Sequence, residues 1–302
     1  MTAAPSRFGR VVPGNPVVMV RQTISRLEQA SALDTVSDRL QGVVQRVVKP
    51  QRLRDLLHGT WLGHPLHPVL VQLPVGAFMS AAVLDALPNQ HRAATTLIAV
   101  GTVGATPAIA AGLVDWSSLS RDQRRVGLVH AAANTVALGL YAGSLAARLS
   151  GRRGLGKILG YAGLSIAGAG AYLGGHLSYQ QGAQMNHGSS EVLRLPEDWA
   201  EVGEVAALPE GKPTVRTIGD VRVLLYRLGN DVTAMVERCG HQGGPLGEGE
   251  VQGTGENACV VCPWHGSTFR LTDGLVVHGP AAGDQPTLRT RILDGVLSVA
   301  TP

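Results

Sequence analysis

Residues 239–245 read CGHQGGP and residues 262–268 read CPWHGST. A Cys-x-His pair, Cys239 and His241, is thus followed after twenty intervening residues by a Cys-x-x-His pair, Cys262 and His265. The chain has three cysteines, the third being Cys259, and an odd number packed into so short a stretch makes a poor disulfide framework. Metal ligation is the better reading, because two thiols and two imidazoles complete a four-ligand set. Zinc takes such a set. A two-iron cluster takes it too, with two thiolates on one iron and two neutral imidazoles on the other. The surrounding sequence consists of short β-rich runs at 222–227, 232–237, 259–262, 287–292 and 296–299, separated by Gly, Asp and Pro turns. That pattern predicts a small all-β domain over 191–302, with each pair of ligands on its own loop.

These loops resemble the Rieske family. The likeness rests on Cys-x-His and Cys-Pro-Trp-His-Gly, on the Gly-Gly-Pro-Leu after His241, on the leading Trp199 and on the late Gly279-Pro280. A one-residue gap in Cys-x-His is unusual for a zinc finger. The resemblance implies a [2Fe–2S] cluster held by Cys239, His241, Cys262 and His265, with Pro263, Gly266 and Ser267 lining it. Rieske proteins of the cytochrome bc complexes add a disulfide between the loops and a Tyr that bonds to sulfur. Here those positions are Gly244, Trp264 and Phe269, so the domain is closer to the Rieske ferredoxins. Fewer hydrogen bonds to sulfur imply a potential in the lower half of the Rieske range of roughly −150 to +300 mV. Cys259, three residues before Cys262, is expected to be a buried structural thiol facing away from the cluster, and His278 a surface turn residue.

The middle of the chain is of another kind. Four apolar stretches, at 67–87, 95–115, 126–147 and 155–177, each reach the ~20 residues that cross a ~30 Å hydrocarbon layer. None shows the polar stripe of a soluble bundle helix. The expected fold is therefore an α-helical membrane bundle of four transmembrane helices at 64–180, a linker at 181–190, and the β domain. Gly139/Gly143, Gly156/Gly160 and Gly170/Gly174 are spaced for close helix contact, and Pro74 and Pro107 are candidate kinks. The stretch GHPLHPVLVQLPVG, His130 and the Gly-Gly-His at 174–176 resemble a bacterial four-helix membrane family to which no activity is assigned; that likeness supplies a topology only.

Ahead of the bundle, residues 1–16 read as a disordered tail without a secretory signal, and 17–63 as a basic helical segment. Leu33, Val36, Leu40, Val43, Val44 and Val47 recur at helical spacing between Arg39, Arg46 and Lys49. Such a helix either lies on the bilayer surface or packs on its own protein. Residues 1–65 and 66–177 each carry five more basic than acidic side chains, whereas 191–302 carries six more acidic than basic. Arginines beside long apolar runs favour lipid headgroups over nucleic acid. Four crossings put both termini on one side, and seven positive charges against five favour the cytoplasm.

His67, Asp115, His130 and His176 all fall at the membrane face that bears the linker, where ionisable groups are costly and often functional. They ligate a haem b, bind a non-haem metal or a quinone, or cap helices and bond to one another. Asn134 and Tyr172 stand one turn from His130 and His176 on the same helical faces. His64 and His91 are read as structural. The leading expectation is a single-electron carrier serving a redox partner protein or quinone. The alternatives are an integral redox enzyme pairing the cluster with a site in the bundle, and a membrane redox sensor. Only 37 residues follow His265, too few for the iron domain of a terminal oxygenase, and no G-x-G-x-x-G stands between a strand and a helix, so NAD or flavin binding is not expected.

Overall fold

The computed structural model describes residues 16–302; the disordered tail expected at 1–16 thus lies, but for Pro16, outside the described residues. Three helices open the chain: α1 (Pro16–Glu28), α2 (Asp34–Val47) and α3 (Gln51–His58). The apolar stretches follow as α4 (His67–Leu70) with α5 (Gln72–Ala86), α6 (His91–Trp116), α7 (Arg121–Leu149) and α8 (Arg153–Tyr179). These four spans are long and apolar enough to cross a membrane. Pro74 sits in the first turn of α5, where a missing N–H costs nothing, and α6 runs unbroken through Pro107.

The bundle is two hairpins, α5/α6 and α7/α8, built on the same plan. His67 and Phe78 on the first correspond to His130 and Tyr141 on the second, both eleven residues apart. Asp85 and Arg148 each lie eighteen residues beyond the histidine. On the return helices Gly101 packs against the Phe78 ring and Gly163 against the Tyr141 ring. Corresponding residues also touch each other. Phe78 and Tyr141 stack with ring centroids 3.5 Å apart and 4° between planes. Asp85 and Arg148, both buried, form a two-pronged ion pair with one arm at 2.9 Å. Such contacts between equivalents define a pseudo-two-fold axis running along the bundle. Close packing is carried by Gly156, Gly170 and Gly174, where a Cβ would strike Arg148, Asn134 and His130, whereas Gly139 faces open space.

The leading helices pack on their own protein. Asp34 grips Arg125 with both oxygens at 2.7 Å, Asp38 takes Arg124 at 2.8 Å, and Gln41 bonds to the Ser117 carbonyl at 2.6 Å. Arg124 and Arg125, counted in the sequence as lipid-facing charge, are therefore committed to ion pairs. Val36, Val43 and Val47 remain outward and exposed.

After the short α9 (Ser189–Val192), the C-terminal part is all β. Strands β1 (Ala200–Glu204), β2 (Thr214–Ile218), β3 (Val221–Leu228), β4 (Asp231–Val236), β9 (Thr287–Leu293) and β10 (Val296–Ala300) form one sheet in the order β1-β10-β9-β4-β3-β2. A second sheet takes the order β5-β6-β7-β8, from Glu250–Gln252, Cys259–Val261, Thr268–Arg270 and Val276–His278. Its buried side chains Val260, Phe269 and Leu271 meet Leu224, Met235 and Leu246 in one apolar core beneath the two ligand-bearing loops.

Candidate cluster site and its seat on the bundle

The first loop leaves β4 and turns at once: Cys239 N–H donates to Gly244 O at 2.9 Å and Gly243 N–H to Cys239 O at 2.8 Å. Gly243 has φ +73, which only glycine adopts cheaply. The second loop, between β6 and β7, is drawn shut by Cys262 N–H to Ser267 O at 2.8 Å and Gly266 N–H to Cys262 O at 3.0 Å, with Gly266 at φ +78. The two turns bring all four predicted ligands together. Cys239 and Cys262 are free, buried and within hydrogen-bond reach of each other. The His241 and His265 rings lie edge to face with centroids 4.9 Å apart.

The protonation chemistry suits metal. Burial pushes His241 down to about 3 and also lowers His265, so both imidazoles are neutral. Between the thiols, the shared hydrogen bond leaves the proton on Cys239 and favours thiolate at Cys262, which also receives the Trp264 and His265 N–H groups. Most telling, Nδ1 of His241 and Nδ1 of His265 are both buried with no hydrogen-bond partner. Unpartnered buried nitrogens are rare in a finished fold. Two of them beside two thiols fit a cluster of the expected kind.

Of the lining residues, Ser267 is fully buried and its Oγ accepts the Ala281 N–H at 3.0 Å, keeping its own proton to donate, while Pro263 and Gly266 are exposed. Gly244 leaves room that a Cβ would fill, 2.8 Å from Cys262 Sγ. Buried Gln285 was not signalled by any motif. Its amide receives Gly240 N–H at 2.9 Å and donates to Val236 O and Arg238 O at 2.6 and 2.8 Å, locking the first loop to the sheet. Two sequence readings need correction. Cys259 is half-exposed, because β6 turns Val260 inward and Cys259 outward. His278 ends a strand, β8, and bonds to Asp55 of α3.

That last contact belongs to a seat on the bundle. Asp55 accepts from His278 Nδ1 at 2.9 Å and from Gly279 N–H at 3.0 Å. Gln242 donates to Gln123 at 3.1 Å. Ser118, in the turn between α6 and α7, lies 3.3 Å from Nε2 of His241 while donating its own proton to Asp115 O at 2.8 Å. The turn is held by a capping box of Ser120 and Gln123 and by Trp116 Nε1 donating to Arg124 O at 3.0 Å. The segment read as a linker is docked as well, through His187 N–H to Gly240 O at 2.8 Å. The two imidazoles therefore differ: His241 meets the bundle, and His265 stands at the surface beside exposed Trp264.

The bundle candidates do not converge as a set of four. Asp115 is buried against His58 Nδ1 at 2.8 Å, and His176 pairs through Nε2 with Glu28 at 2.8 Å. Tyr172 is exposed. His67 Nδ1 bonds to Ala108 O and His130 Nδ1 to Gly170 O, each at 2.8 Å. Among the described residues, no three His, Cys, Asp or Glu side chains gather as a metal site.

Comparison with known proteins agrees with both halves. Residues 198–290 match the model of the Rieske [2Fe-2S] domain, and residues 63–187 match that of a predicted membrane protein (DUF2231). The chain is similar to the anthranilate 1,2-dioxygenase ferredoxin subunit of Burkholderia cepacia, with 28% identity over 102 residues, 34% of this chain and 91% of that protein. It is similar to the 3-phenylpropionate/cinnamic acid dioxygenase ferredoxin subunit of Escherichia coli (strain K12), with 28% identity over 98 residues, 32% of this chain and 89% of that protein. Among solved structures, the ferredoxin of carbazole 1,9a-dioxygenase from Nocardioides aromaticivorans IC177 superposes over 34% of this chain and 98% of its own, at 22% identity and a TM-score of 0.32.

Proposed function

From a chain that carries a Rieske [2Fe-2S] domain at 198–290, we propose a membrane-anchored carrier of single electrons, anchored by the four-helix bundle at 64–180 and reaching into the head at 191–302. Cys239 and Cys262 would hold one iron through sulfur, and His241 and His265 the other through Nδ1. The bound cluster supplies reversible one-electron chemistry at a Rieske potential. The chain's own residues do the rest. Gln285 and the two glycine turns fix the loops, Ser267 donates to the sulfur side, and the apolar core beneath keeps out water. The observation that carries the reading is the pair of orphaned imidazole nitrogens facing two free thiols.

The two imidazole edges serve different partners. His265, flanked by Trp264 and Pro263 at the surface, receives a redox protein, as the likeness to dioxygenase ferredoxin subunits supports. His241 turns its Nε2 edge to Ser118 of the bundle, 3.3 Å away, the contact by which the bundle would tune the site. Both termini lie on the same side of the bilayer, taken as the cytoplasmic side. The test is iron analysis and electron paramagnetic resonance of the purified full chain, repeated after adding dithionite. Two irons per chain and a Rieske-type signal on reduction are expected; a folded, iron-free chain under iron-replete expression rejects the proposal.

A further inference from the structure

We infer that the outer face of α2 and α3, with Trp61, is a docking surface for the anionic headgroup layer of a bilayer. The inference rests on the reading that the four long helices cross that bilayer. It adds the lipid class and the residues that meet it.

The level of this face follows from what holds it. In α2, Asp34 and Asp38 pair with Arg125 and Arg124 in the first two turns of α7, and Gln41 bonds to the carbonyl of Ser117, directly after α6. In α3, His58 pairs with Asp115 in the last turn of α6 at 2.8 Å. All these anchors lie at the ends of two membrane-length helices, where apolar spans give way to headgroups. Val36, Val43 and Leu56 each stand two residues from an anchored one. Whatever the tilt of α2 and α3, one helical turn rises only ~5.4 Å, so these side chains stay near that boundary. The chain then descends into the bundle, since His67 bonds to Ala108 O, seven residues deeper along α6 than Asp115. Trp61 falls on this descent, is 63% exposed, and gives its indole N–H to Leu56 O at 3.2 Å. An indole with its polar edge satisfied and its ring free suits the membrane interface.

The faces are sorted by chemistry. Toward the bundle, α2 buries Ser37 and Val44 and spends its acids on Arg124 and Arg125. Away from it, Val36, Val43 and Val47 recur at helical spacing as one exposed stripe. In α3, Asp55 takes the head and His58 takes the bundle, while Leu53 and Leu56, three residues apart, stay exposed. Beside these apolar side chains stand Arg39, Arg46, Lys49 and Arg52, all exposed and, among the described residues, in no ion pair. No acid occurs between Arg39 and Arg54. An apolar stripe edged by free cations fits the headgroup layer, with valine and leucine in its apolar margin and arginine at phosphate. A second copy presenting the same face would set arginine against arginine. Because α3 also accepts the head's His278 and Gly279 through Asp55, lipid held here steadies the seat of the head.

The test reconstitutes the full chain into nanodiscs of phosphatidylcholine alone, or of phosphatidylcholine with phosphatidylglycerol, and reads backbone hydrogen exchange. Exchange at 36–47 and 52–57 should slow about fivefold in the anionic discs, the factor that ~1 kcal/mol for a basic residue at an anionic surface supplies. Arg39→Gln combined with Arg46→Gln should abolish the difference and keep the cluster's resonance signal. Brominated phosphatidylcholine should quench the tryptophan emission of the parent more than that of Trp61→Phe. Equal exchange in the two discs, a difference that survives the double substitution, or quenching unchanged by Trp61→Phe overturns the inference. So does protection that follows the number of chains per disc rather than the lipid, the mark of a second copy on this face. A chain that enters discs of neither composition rejects the membrane anchor itself, and the docking surface with it.

Discussion

The head and the bundle both carry histidines on separate loops or helices, but they leave different marks in the sequence. In the head, the four candidate ligands fall within 27 residues and announce themselves as two short motifs. In the bundle, His67 and His130 stand 63 residues apart, and what relates them is a repeated plan rather than a motif. Ligand positions on two loops of one small domain are local in sequence; equivalents across a symmetry axis are not. The head also advertises its chemistry by orphaned atoms, Nδ1 of His241 and of His265, whereas in the bundle His67 and His130 each spend Nδ1 on a helix carbonyl.

The largest effect that could break this contrast comes from the head. Cys262→Ser removes a thiolate from a set with no spare, since Cys259 points outward on β6 and cannot replace it. We expect complete loss of the cluster signal and of both irons, with the bundle still folded by circular dichroism. A variant that keeps an unchanged resonance signal would show that Cys259 or another group ligates, and the four-ligand site would fall.

Next in size is the ion pair at the other end of the bundle. Asp85 and Arg148 are both 3% exposed, and Asp85 O also receives Lys157 Nζ at 2.6 Å. Asp85→Asn leaves the buried Arg148 guanidinium without its counter-charge and should cost about 3–5 kcal/mol, whereas replacing both partners with apolar side chains of similar volume should be nearly neutral. Thermal unfolding in detergent measures both. If the single and double variants melt alike, the pair is not what joins the hairpins, and the pseudo-two-fold axis loses one of its two marks.

These cases show what the sequence could convey. The four candidate ligands, the β character of the head and the four apolar helices were legible because periodicity and motif act over a few residues. The internal duplication was in principle legible too, from His, Phe/Tyr and Asp/Arg at matched spacing in the two hairpins. So few shared residues among varied apolar ones make no signal without knowing which of them touch. Asp34 and Asp38 likewise look like ordinary surface acids; only the fold shows that they neutralise Arg125 and Arg124. The seat of the head was illegible because Asp55 and His278 are 223 residues apart and neither is unusual where it stands. Asp55→Ala removes an acceptor from His278 and from the Gly279 N–H and should weaken docking by about 1–2 kcal/mol, discounted for the half-exposed His278. Hydrogen exchange should rise at 278–283 and in α3, with the cluster unchanged; no change there would mean that the seat does not depend on this contact.

The smallest effect is the sharpest probe of how the two regions communicate. Ser118 Oγ gives its proton to Asp115 O, so toward His241 it can only accept, which requires the proton of that ring to be on Nε2 and Nδ1 to face the iron. An acceptor at Nε2 draws the N–H outward and leaves more electron density on the imidazole, which favours the oxidised iron and lowers the potential. Ser118→Ala should therefore raise the midpoint potential of the cluster. A neutral hydrogen bond is worth about 0.5–1.5 kcal/mol, and one electron converts a tenfold change to about 59 mV, so a rise of roughly 20–60 mV is expected. The geometry at 3.3 Å puts the value toward the lower figure. A redox titration of the variant against the parent decides it. A fall in potential would mean that Ser118 donates to His241 instead, and no change would mean that the cluster works clear of the bundle, in which case the electron leaves by His265 alone.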